Sequence, residues 1–228
     1  MSTSMITHQS LRMFGTACKQ QFIKVHSSIY QIDIFAVPDV VFQVLIPLLD
    51  INSTSSVLFT KRSIHLKSHR GEVCFPGGKM EDGETIEEAA LRETHEEIGI
   101  DPSSVDVWGC LTPVLTRNLT STVVPIVGSI PDQALKSENV NKNEVQTLFS
   151  VPLDELCRNY GYTRFSSETS EYTLPVFFSK EFVVHSHNEG QFLPREFRIW
   201  GLSAIMLHQL LLVIAPDKYS NILHVRFN

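Results

Sequence analysis

The feature that most constrains this 228-residue chain is the segment from Gly71 to Ile100, whose second half is typical of one capped helix. Thr85 can cap the helix N-terminus, and Glu88, three residues later, completes a capping box. Gly99 fits the position just after the helix, where a left-handed conformation costs glycine least. We therefore predict a helix between Thr85 and Gly99 with both ends defined by the sequence.

Three glutamates of that helix share one face. Glu93, Glu96 and Glu97 stand at i, i+3 and i+4. They continue a stripe that begins with Ile86 and Ala90, so the stripe is turned at least partly toward the protein. Two carboxylates about 4 Å apart repel by roughly 4 kcal/mol at an effective dielectric of about 20. Protonation or a bound cation relieves this repulsion, and carboxylate oxygens suit Mg²⁺ or Mn²⁺. The alternative is a solvated acidic helix face, which the apolar start of the stripe disfavours.

The spacing of the glycines and charged residues resembles the Nudix box, a loop–helix–loop motif. The pattern is G-x5-E-x7-R-E-x-x-E-E-x-G, and its fixed positions are Gly78, Glu84, Arg92, Glu93, Glu96, Glu97 and Gly99. One position departs from the family, because Thr94 stands where a bulky aliphatic residue is usual. The resemblance implies a hydrolase that uses divalent cations to cleave a nucleoside diphosphate linked to another moiety.

Regions on both sides of the box resemble the coenzyme A diphosphatase branch of this family, in particular the mitochondrial enzymes of animals. Before the box these are Leu58-Phe59-Thr60-x-Arg62-Ser63, Leu66, His69, Gly71 and Phe75-Pro76-Gly77-Gly78. After it they are Gly161-Tyr162-Thr163-x-Phe165, Tyr172-Thr173-Leu174-Pro175-Val176-Phe177 and Trp200-Gly201-Leu202-Ser203-Ala204. The resemblance implies that water attacks the pyrophosphate of CoA or an acyl-CoA. The products would be 3′-phosphoadenosine 5′-phosphate and (acyl) 4′-phosphopantetheine.

The resemblance also implies a set of metal ligands. Glu93 and Glu97, with Glu96 and the Gly78 carbonyl, would hold cations that neutralise phosphate oxygens and lower the pKa of a bound water. The general base stays open between one of these helix glutamates and Glu144, which arrives from a later strand. For Glu144 an ordinary surface acid is the equal alternative.

Two further residues of the box are expected to orient the ligands. Arg92 lies four residues from both Glu88 and Glu96, so its expected role is to orient carboxylates rather than to touch substrate. Glu84 would hold Arg92 or a metal-bound water.

A basic segment before the box is the predicted substrate-binding region. It contains Lys61, Arg62, Lys67 and Arg70 and leads into the Gly77-Gly78 loop, where the lack of side chains lets a ligand approach the backbone. CoA carries a 3′-phosphate that needs cationic partners, and guanidinium groups grip phosphate bidentately. Arg62 and Arg70 are therefore the preferred candidates. The alternative is a solvated basic loop that only offsets the acidic box.

For residues 33–228 we predict an α/β fold, a Nudix-type α/β/α sandwich around a mixed β-sheet. Pro125 suggests that its strand lies at an edge or a bulge, and 187–194 are expected to form a mobile insertion. The predicted strands are 40–46 and 57–62 as a hairpin, 73–75, 105–111, 123–129, 144–151, 162–165 and 172–178 as a second hairpin, and 197–200. A polar loop is predicted over 131–143, and helices over 152–158 and 202–214.

Residues 1–32 contain no Asp or Glu, whereas Arg12, Lys19 and Lys24 supply positive charge. This composition is typical of a mitochondrial transit peptide, and the alternative is an N-terminal helix packed on the domain. We expect a mitochondrial matrix protein, with the cytoplasm as the alternative. A peroxisomal relative would be expected to end in a Ser-Lys-Leu-type address, and this chain ends in Arg226-Phe227-Asn228.

The composition limits the kinds of partner that this chain is expected to bind. A net charge of −6 argues against a general nucleic-acid surface, and the sequence has no apolar run of the roughly 18 residues that span a membrane. Four cysteines without metal-ligand spacing are expected to be reduced thiols: Cys18, Cys74, Cys110 and Cys157. Monomer and homodimer stay open. The alternatives for function are a Nudix hydrolase of ADP-ribose, NADH or an oxidised nucleotide, and a non-catalytic Nudix-fold binding protein, which the intact glutamates disfavour.

Overall fold

The computed structural model describes Lys19 and residues 40–116, 120–166, 170–220 and 225–227. The rest of the predicted leader and Cys18 lie outside the described residues. The strands are β1 (Val40–Ile51), β2 (Thr54–Arg62), β3 (Val73–Cys74), β4 (Gly77–Lys79), β5 (Asp106–Cys110), β6 (Val114–Leu115), β7 (Ser121–Ser129), β8 (Val145–Pro152), β9 (Tyr160–Ser166), β10 (Ser170–Ser179), β11 (Val183–His187), β12 (Phe197–Ile199) and β13 (Val225–Phe227). The helices are α1 (Ile86–Ile98), α2 (Leu153–Arg158) and α3 (Gly201–Ile214), with short 3₁₀ turns at Pro102–Ser104, Asp132–Ala134 and Ser137–Asn139.

A mixed sheet carries the site, in the order β11-β8-β2-β1-β7-β5, with β3, β4 and β6 added at its margins. The predicted first hairpin is confirmed, but its turn is tighter than expected. β1 and β2 are joined by Asn52 and Ser53, which both have positive φ, at 48° and 65°. Two such residues form the turn whose twist matches a hairpin, so the strands extend to its edge.

Pro125 does not lie in an edge strand, but the predicted irregularity is present, because one extra residue of the neighbouring chain lies between the pairs Cys110–Ile126 and Val114–Val123. β7 lies between β1, to which it is parallel, and β5. The carbonyl of Pro125 accepts a hydrogen bond from the Leu111 N–H, and the neighbouring chain breaks there between β5 and β6. A second irregularity between β5 and β7 falls at Val107–Gly109. Proline is tolerated in this interior strand because its missing N–H faces a gap between two short neighbours.

A second sheet has the order β12-β10-β13, with β9 beside β10, and β9 and β10 form the second predicted hairpin. The predicted insertion over 187–194 begins too early, because His187 ends β11, which pairs with β8. The His187 ring bonds to the Thr147 hydroxyl at 2.8 Å. The predicted loop over 131–143 is confirmed as a connection without strands, containing two 3₁₀ turns.

Helices pack on both faces of the mixed sheet, which confirms the predicted sandwich. Alternate residues of β1 point to opposite faces. Leu45 packs with Ala90 of α1, whereas Ile46 belongs to the large cluster that includes Leu207 and Leu210 of α3. The helices α1 and α3 therefore pack on opposite faces of the sheet.

The predicted limits of α1 are confirmed. Thr85 accepts a hydrogen bond from the Glu88 N–H, Glu88 accepts one from the Thr85 N–H, and Gly99 is left-handed at φ 70°. Thr94, the departure from the family pattern, is fully buried, and its hydroxyl donates to the Ala90 carbonyl at 2.7 Å. The smaller polar side chain therefore fits without leaving an unpaired hydroxyl.

Three smaller findings bear on the sequence predictions. Lys19, within the predicted leader, forms an ion pair with Asp106 at 2.6 Å. Cys74 and Cys157 are free thiols. Among the described helices, none combines the length and apolar character needed to cross a membrane.

Candidate active site

Glu97 is the most buried charged residue of α1, with 4% of its surface exposed. Its carboxylate faces Arg62 of β2, with Oε1 3.9 Å from Nη1, and the Gly77 backbone amide hydrogen-bonds to it. Burial raises the pKa of Glu97 to about 8, against an ordinary 4.5. The charges of Glu144 and Glu93 add to this rise, and Arg62 opposes it. The site thus holds a carboxyl group that needs a positive charge to ionise at neutral pH.

Glu93 lies one turn before Glu97 and directly over Gly78. A Cβ built on Gly78 would overlap the Glu93 carboxylate, so a larger residue there would displace the end of this side chain. Burial raises the pKa of Glu93, and the charges of Glu96 and Glu144 raise it further, whereas Arg92 lowers it. The structure therefore brings Glu93, Glu97 and Glu144 into one electrostatic group.

Arg92 contacts several other charged residues of the box. Its Nε donates to Glu84 Oε1 at 2.6 Å, and its Nη1 lies 3.3 Å from both Glu93 and Glu96. The Glu84 hydrogen bond is the main cause of a raised pKa at Arg92 and of a lowered pKa at Glu84. Arg92 and Glu84 are thus positioned as the sequence predicts.

The other expected partner of Arg92 is wrong. Glu88 is bonded to Thr85 in the capping box and not to Arg92. Instead, Arg92 Nη2 donates a hydrogen bond to the Lys79 carbonyl at 3.2 Å, a contact that the sequence analysis does not predict. Every residue has a backbone carbonyl, so residue identity does not show which one accepts a hydrogen bond. The only available signal was the position of Lys79, immediately after Gly78.

Glu96 and Glu144 differ in their surroundings. The Glu96 side chain is 56% exposed, so it borders the site on the solvent side. Glu144 is half-buried, and its Oε1 accepts a hydrogen bond from Asn141 Nδ2 at 3.3 Å. Its backbone carbonyl accepts from the Ser63 N–H, which joins it to the end of β2 beside Arg62.

The basic residues before the box separate into two groups. Arg62 reaches the carboxylates and also hydrogen-bonds to the buried Cys74, whose pKa burial raises to about 11. Lys61 is partly buried, and burial lowers its pKa. Lys67 and Arg70 are exposed in the loop between β2 and β3 and do not join the carboxylate group.

The carboxylates suit a hard cation, although none is held in a finished coordination geometry. In the described part of the chain, no three His, Cys, Asp or Glu side chains converge as a preformed metal site. Arg92 accounts for this, because it holds Glu93 and Glu96 by one nitrogen. Raised pKa values at both Glu93 and Glu97 identify two oxygen-donor groups that lack sufficient positive charge. Such donors fit Mg²⁺ or Mn²⁺.

Comparison with known proteins places this site in a family. A NUDIX domain model matches residues 42–172, more than half of the chain. Nudix hydrolase 3 of Caenorhabditis elegans is 47% identical over 230 residues, covering 98% of this chain and 96% of the relative. The mitochondrial coenzyme A diphosphatase NUDT8 of Mus musculus is 36% identical, covering 77% of this chain and 79% of the relative. Nudix hydrolase 15, mitochondrial, of Arabidopsis thaliana is 34% identical, covering 66% and 50%. The chain belongs to the Nudix family of hydrolases.

Proposed function

We propose that this Nudix hydrolase is a metal-dependent coenzyme A diphosphatase. It would cleave the pyrophosphate of CoA and acyl-CoA to 3′-phosphoadenosine 5′-phosphate and (acyl) 4′-phosphopantetheine. The observation that carries the proposal is the contact between Arg62 and Glu97. It joins the segment that resembles coenzyme A diphosphatases to the helix of the Nudix box. The relative named coenzyme A diphosphatase supports the same substrate, whereas the name of the C. elegans relative specifies none.

The reaction needs a water nucleophile and neutralised phosphate oxygens. A bound Mg²⁺ or Mn²⁺ would supply positive charge to the pyrophosphate and lower the pKa of a water. Glu93 and Glu97 would hold the cation from the protein side, and the more exposed Glu96 would complete the site from the solvent side. Arg92 would orient Glu93 and Glu96 while Glu84 holds Arg92 in place.

A carboxylate of the same group would remove the proton from the water. Glu144 is half-buried and adds its charge to those of Glu93 and Glu97. We propose it as the general base, because it is not one of the carboxylates that the cation would occupy. Its half-buried position and its electrostatic influence on Glu93 and Glu97 support this role over that of a surface acid.

A substrate panel tests this function. CoA, an acyl-CoA, dephospho-CoA, ADP-ribose, NADH and an oxidised nucleotide would be incubated with Mg²⁺ or Mn²⁺, and products identified by mass. The account expects CoA and acyl-CoA to have the highest kcat/KM and to be cut at the pyrophosphate. Faster cleavage of ADP-ribose, NADH or the oxidised nucleotide would contradict the substrate while keeping the family. No hydrolysis of any of them would support a binding protein instead.

Selectivity for CoA is proposed to come from the exposed part of the basic segment. Arg62 is committed to the carboxylate group, so it would serve the pyrophosphate end, whereas Arg70 and Lys67 are free to face the 3′-phosphate. A charge-assisted contact contributes roughly 1.5–3 kcal/mol, or about ten- to a hundredfold. Arg70→Ala is therefore expected to lower kcat/KM for CoA far more than for dephospho-CoA, and Arg62→Ala to lower both.

The matched control for these variants is Lys180→Ala, which removes a cation just after β10 whose side chain is 76% exposed. It is expected to change neither substrate's kcat/KM by more than about twofold. If Arg70→Ala lowers turnover of both substrates equally, the 3′-phosphate is read elsewhere and the basic loop is only a solvated surface.

We further propose that residues 1–30 direct the chain to mitochondria. The acid-free composition and the two relatives with mitochondrial names support this, whereas the Lys19–Asp106 ion pair fits a packed N-terminal segment. A fusion of residues 1–30 to a fluorescent reporter tests it. Mitochondrial signal that is lost when Arg12, Lys19 and Lys24 become glutamate supports targeting. Diffuse signal, or import without the bases, contradicts it.

A further inference from the structure

Gln43 is a fully buried side chain in the middle of β1 whose amide has no partner. Neither its Nε2 nor its Oε1 makes a hydrogen bond, and none of its surface is exposed. A buried amide without partners lowers stability, and buried polar groups are paired in the large majority of cases. The proposed mechanism described so far gives this amide no task.

The strand register places Gln43 under the carboxylates. Gln43 is directly opposite Gly78 in the antiparallel pairing of β1 with β4. Residues directly opposite each other point to the same face, with Cβ positions about 5 Å apart. The Cβ position of Gly78 is occupied by the carboxylate of Glu93. Leu45, two residues along the same face, packs against Ala90 of α1.

We propose that Gln43 is a positioning residue for Glu93. Its Nε2 donates a hydrogen bond to the inner oxygen of the Glu93 carboxylate when that carboxylate turns from Arg92 to a bound cation. This inference rests on the proposed cation role of Glu93, but not on CoA as the substrate.

A neutral donor suits this task better than Arg92 does. Arg92 Nη1 lies 3.3 Å from Glu93 and carries a full positive charge, which competes with a cation for the same oxygens. An amide holds the ligand in one rotamer without adding charge, as outer partners of metal ligands do. Gln43 would thus be unpartnered in the resting enzyme and paired in the cation-bound one.

Two variants remove the amide while keeping an apolar side chain of similar size, Gln43→Met and Gln43→Leu. Gln209→Met is the matched control, because Gln209 Oε1 is also buried without a partner but lies on α3, across the sheet. For each protein, Mn²⁺ affinity is measured by electron paramagnetic resonance, and cation-free thermal unfolding by circular dichroism. Neither measurement needs a substrate.

Loss of an outer partner typically weakens metal affinity ten- to a hundredfold. Both Gln43 variants are therefore expected to bind Mn²⁺ at least about tenfold more weakly, while their cation-free Tm is unchanged or higher. Gln209→Met is expected to keep Mn²⁺ affinity within about twofold. An amide with only a structural role would not combine weaker Mn²⁺ binding with unchanged or higher stability in the absence of the cation.

Unchanged Mn²⁺ affinity in both Gln43 variants would overturn the inference. So would the failure of both variants to fold, because an amide without partners cannot be what holds the resting fold together. If the parent protein itself binds no Mn²⁺, the proposed metal-dependent function fails first, which separates the two outcomes.

Discussion

Helices α1 and α3 pack on opposite faces of one sheet, and their buried surfaces differ in polarity. The buried surface of α3 is largely apolar, with Ala204, Leu207 and Leu211 fully buried. The buried surface of α1 begins with Ala89 and Ala90 and then turns to Thr94 and Glu97. A buried carboxylate is costly unless it is hydrogen-bonded or paired. Glu155 of α2 is buried but accepts hydrogen bonds from Asn159 and from the Lys180 and Glu181 N–H groups. Glu97 is less well compensated, and burial raises its pKa to about 8. From this difference we propose that the α3 face contributes mainly stability and that the α1 face carries the function.

The α3 face is further filled by stacked aromatic rings. Phe149 is fully buried and lies between Phe59 and Phe197, with ring centroids 5.7 Å and 3.7 Å away. Phe75 continues the stack beyond Phe59 at 5.0 Å. Phe75 immediately precedes the Pro76-Gly77-Gly78 turn, so the aromatic cluster also supports the loop under Glu93.

The largest effect is expected at the centre of this cluster. Phe149→Ala is expected to lower the free energy of unfolding by about 3–5 kcal/mol, because it removes buried surface and leaves a cavity. Urea unfolding measures the loss, and kcat at a temperature where the variant stays folded is expected to remain within about threefold of the parent. A variant with normal stability but lost kcat would break the division between the two faces.

The next effect is expected on the α1 face and has the opposite character. Glu97→Gln is expected to lower kcat/KM at least about a hundredfold, which is about 2.7 kcal/mol of barrier. Its cation-free stability should not fall, because an amide removes a buried acid that its neighbours repel.

The matched control is Glu87→Gln, on the exposed side of the same helix. Its kcat/KM is expected to stay within about twofold of the value for the parent. More than about a tenth of parental kcat/KM in Glu97→Gln would refute the assignment of this residue as a metal ligand.

A third prediction concerns pH. The Glu97 carboxyl has its pKa raised from 4.5 to about 8 by burial, so the folded protein binds its proton more tightly than the unfolded chain. The stability linked to this proton is fully present below pH 4.5 and is lost as pH rises through about 8. Without a cation, the Tm of the parent should therefore fall more between pH 6 and 9 than that of Glu97→Gln. Parallel pH profiles would mean that Glu97 ionises freely.

The smallest effect is expected at the N-terminus of α1. Thr85→Ala removes the cap that Glu88 N–H uses and is expected to lower the free energy of unfolding by about 1 kcal/mol. Because the carboxylates lie two to three turns away, kcat/KM should change by less than about threefold. A much larger loss of kcat/KM would show that the site depends on the whole helix end.

How far the sequence predicts this structure depends on whether a feature is local. The limits of α1 were predictable because Thr85, Glu88 and Gly99 act within one turn of the backbone. The interior position of Pro125 was not, because it depends on a gap in a neighbouring strand. β11 was missed because its partner β8 is about 35 residues away and turn-forming residues follow it.

The same distinction holds in the site. The Arg92–Glu96 contact was predictable from helical spacing. The Arg92–Glu84 contact was predictable from the family pattern, in which Glu84 is a fixed position. The contact of Arg62 with Glu97 and the position of the buried Gln43 opposite Gly78 depend on how strands pair across the sheet. The sequence offers both Arg62 and Arg70 as candidates for the 3′-phosphate, because it cannot show which cation of the segment lies against the helix.

The most direct test of the division between the two faces is the effect of a cation on thermal unfolding. Tm would be measured at pH 8 for the parent and Glu97→Gln, each without and with saturating Mg²⁺. A ligand that binds only the folded state raises Tm, so Mg²⁺ should raise the Tm of the parent and raise that of Glu97→Gln much less. Equal shifts in both proteins, or no shift in the parent, would contradict the claim that the buried carboxylates of α1 form a cation site.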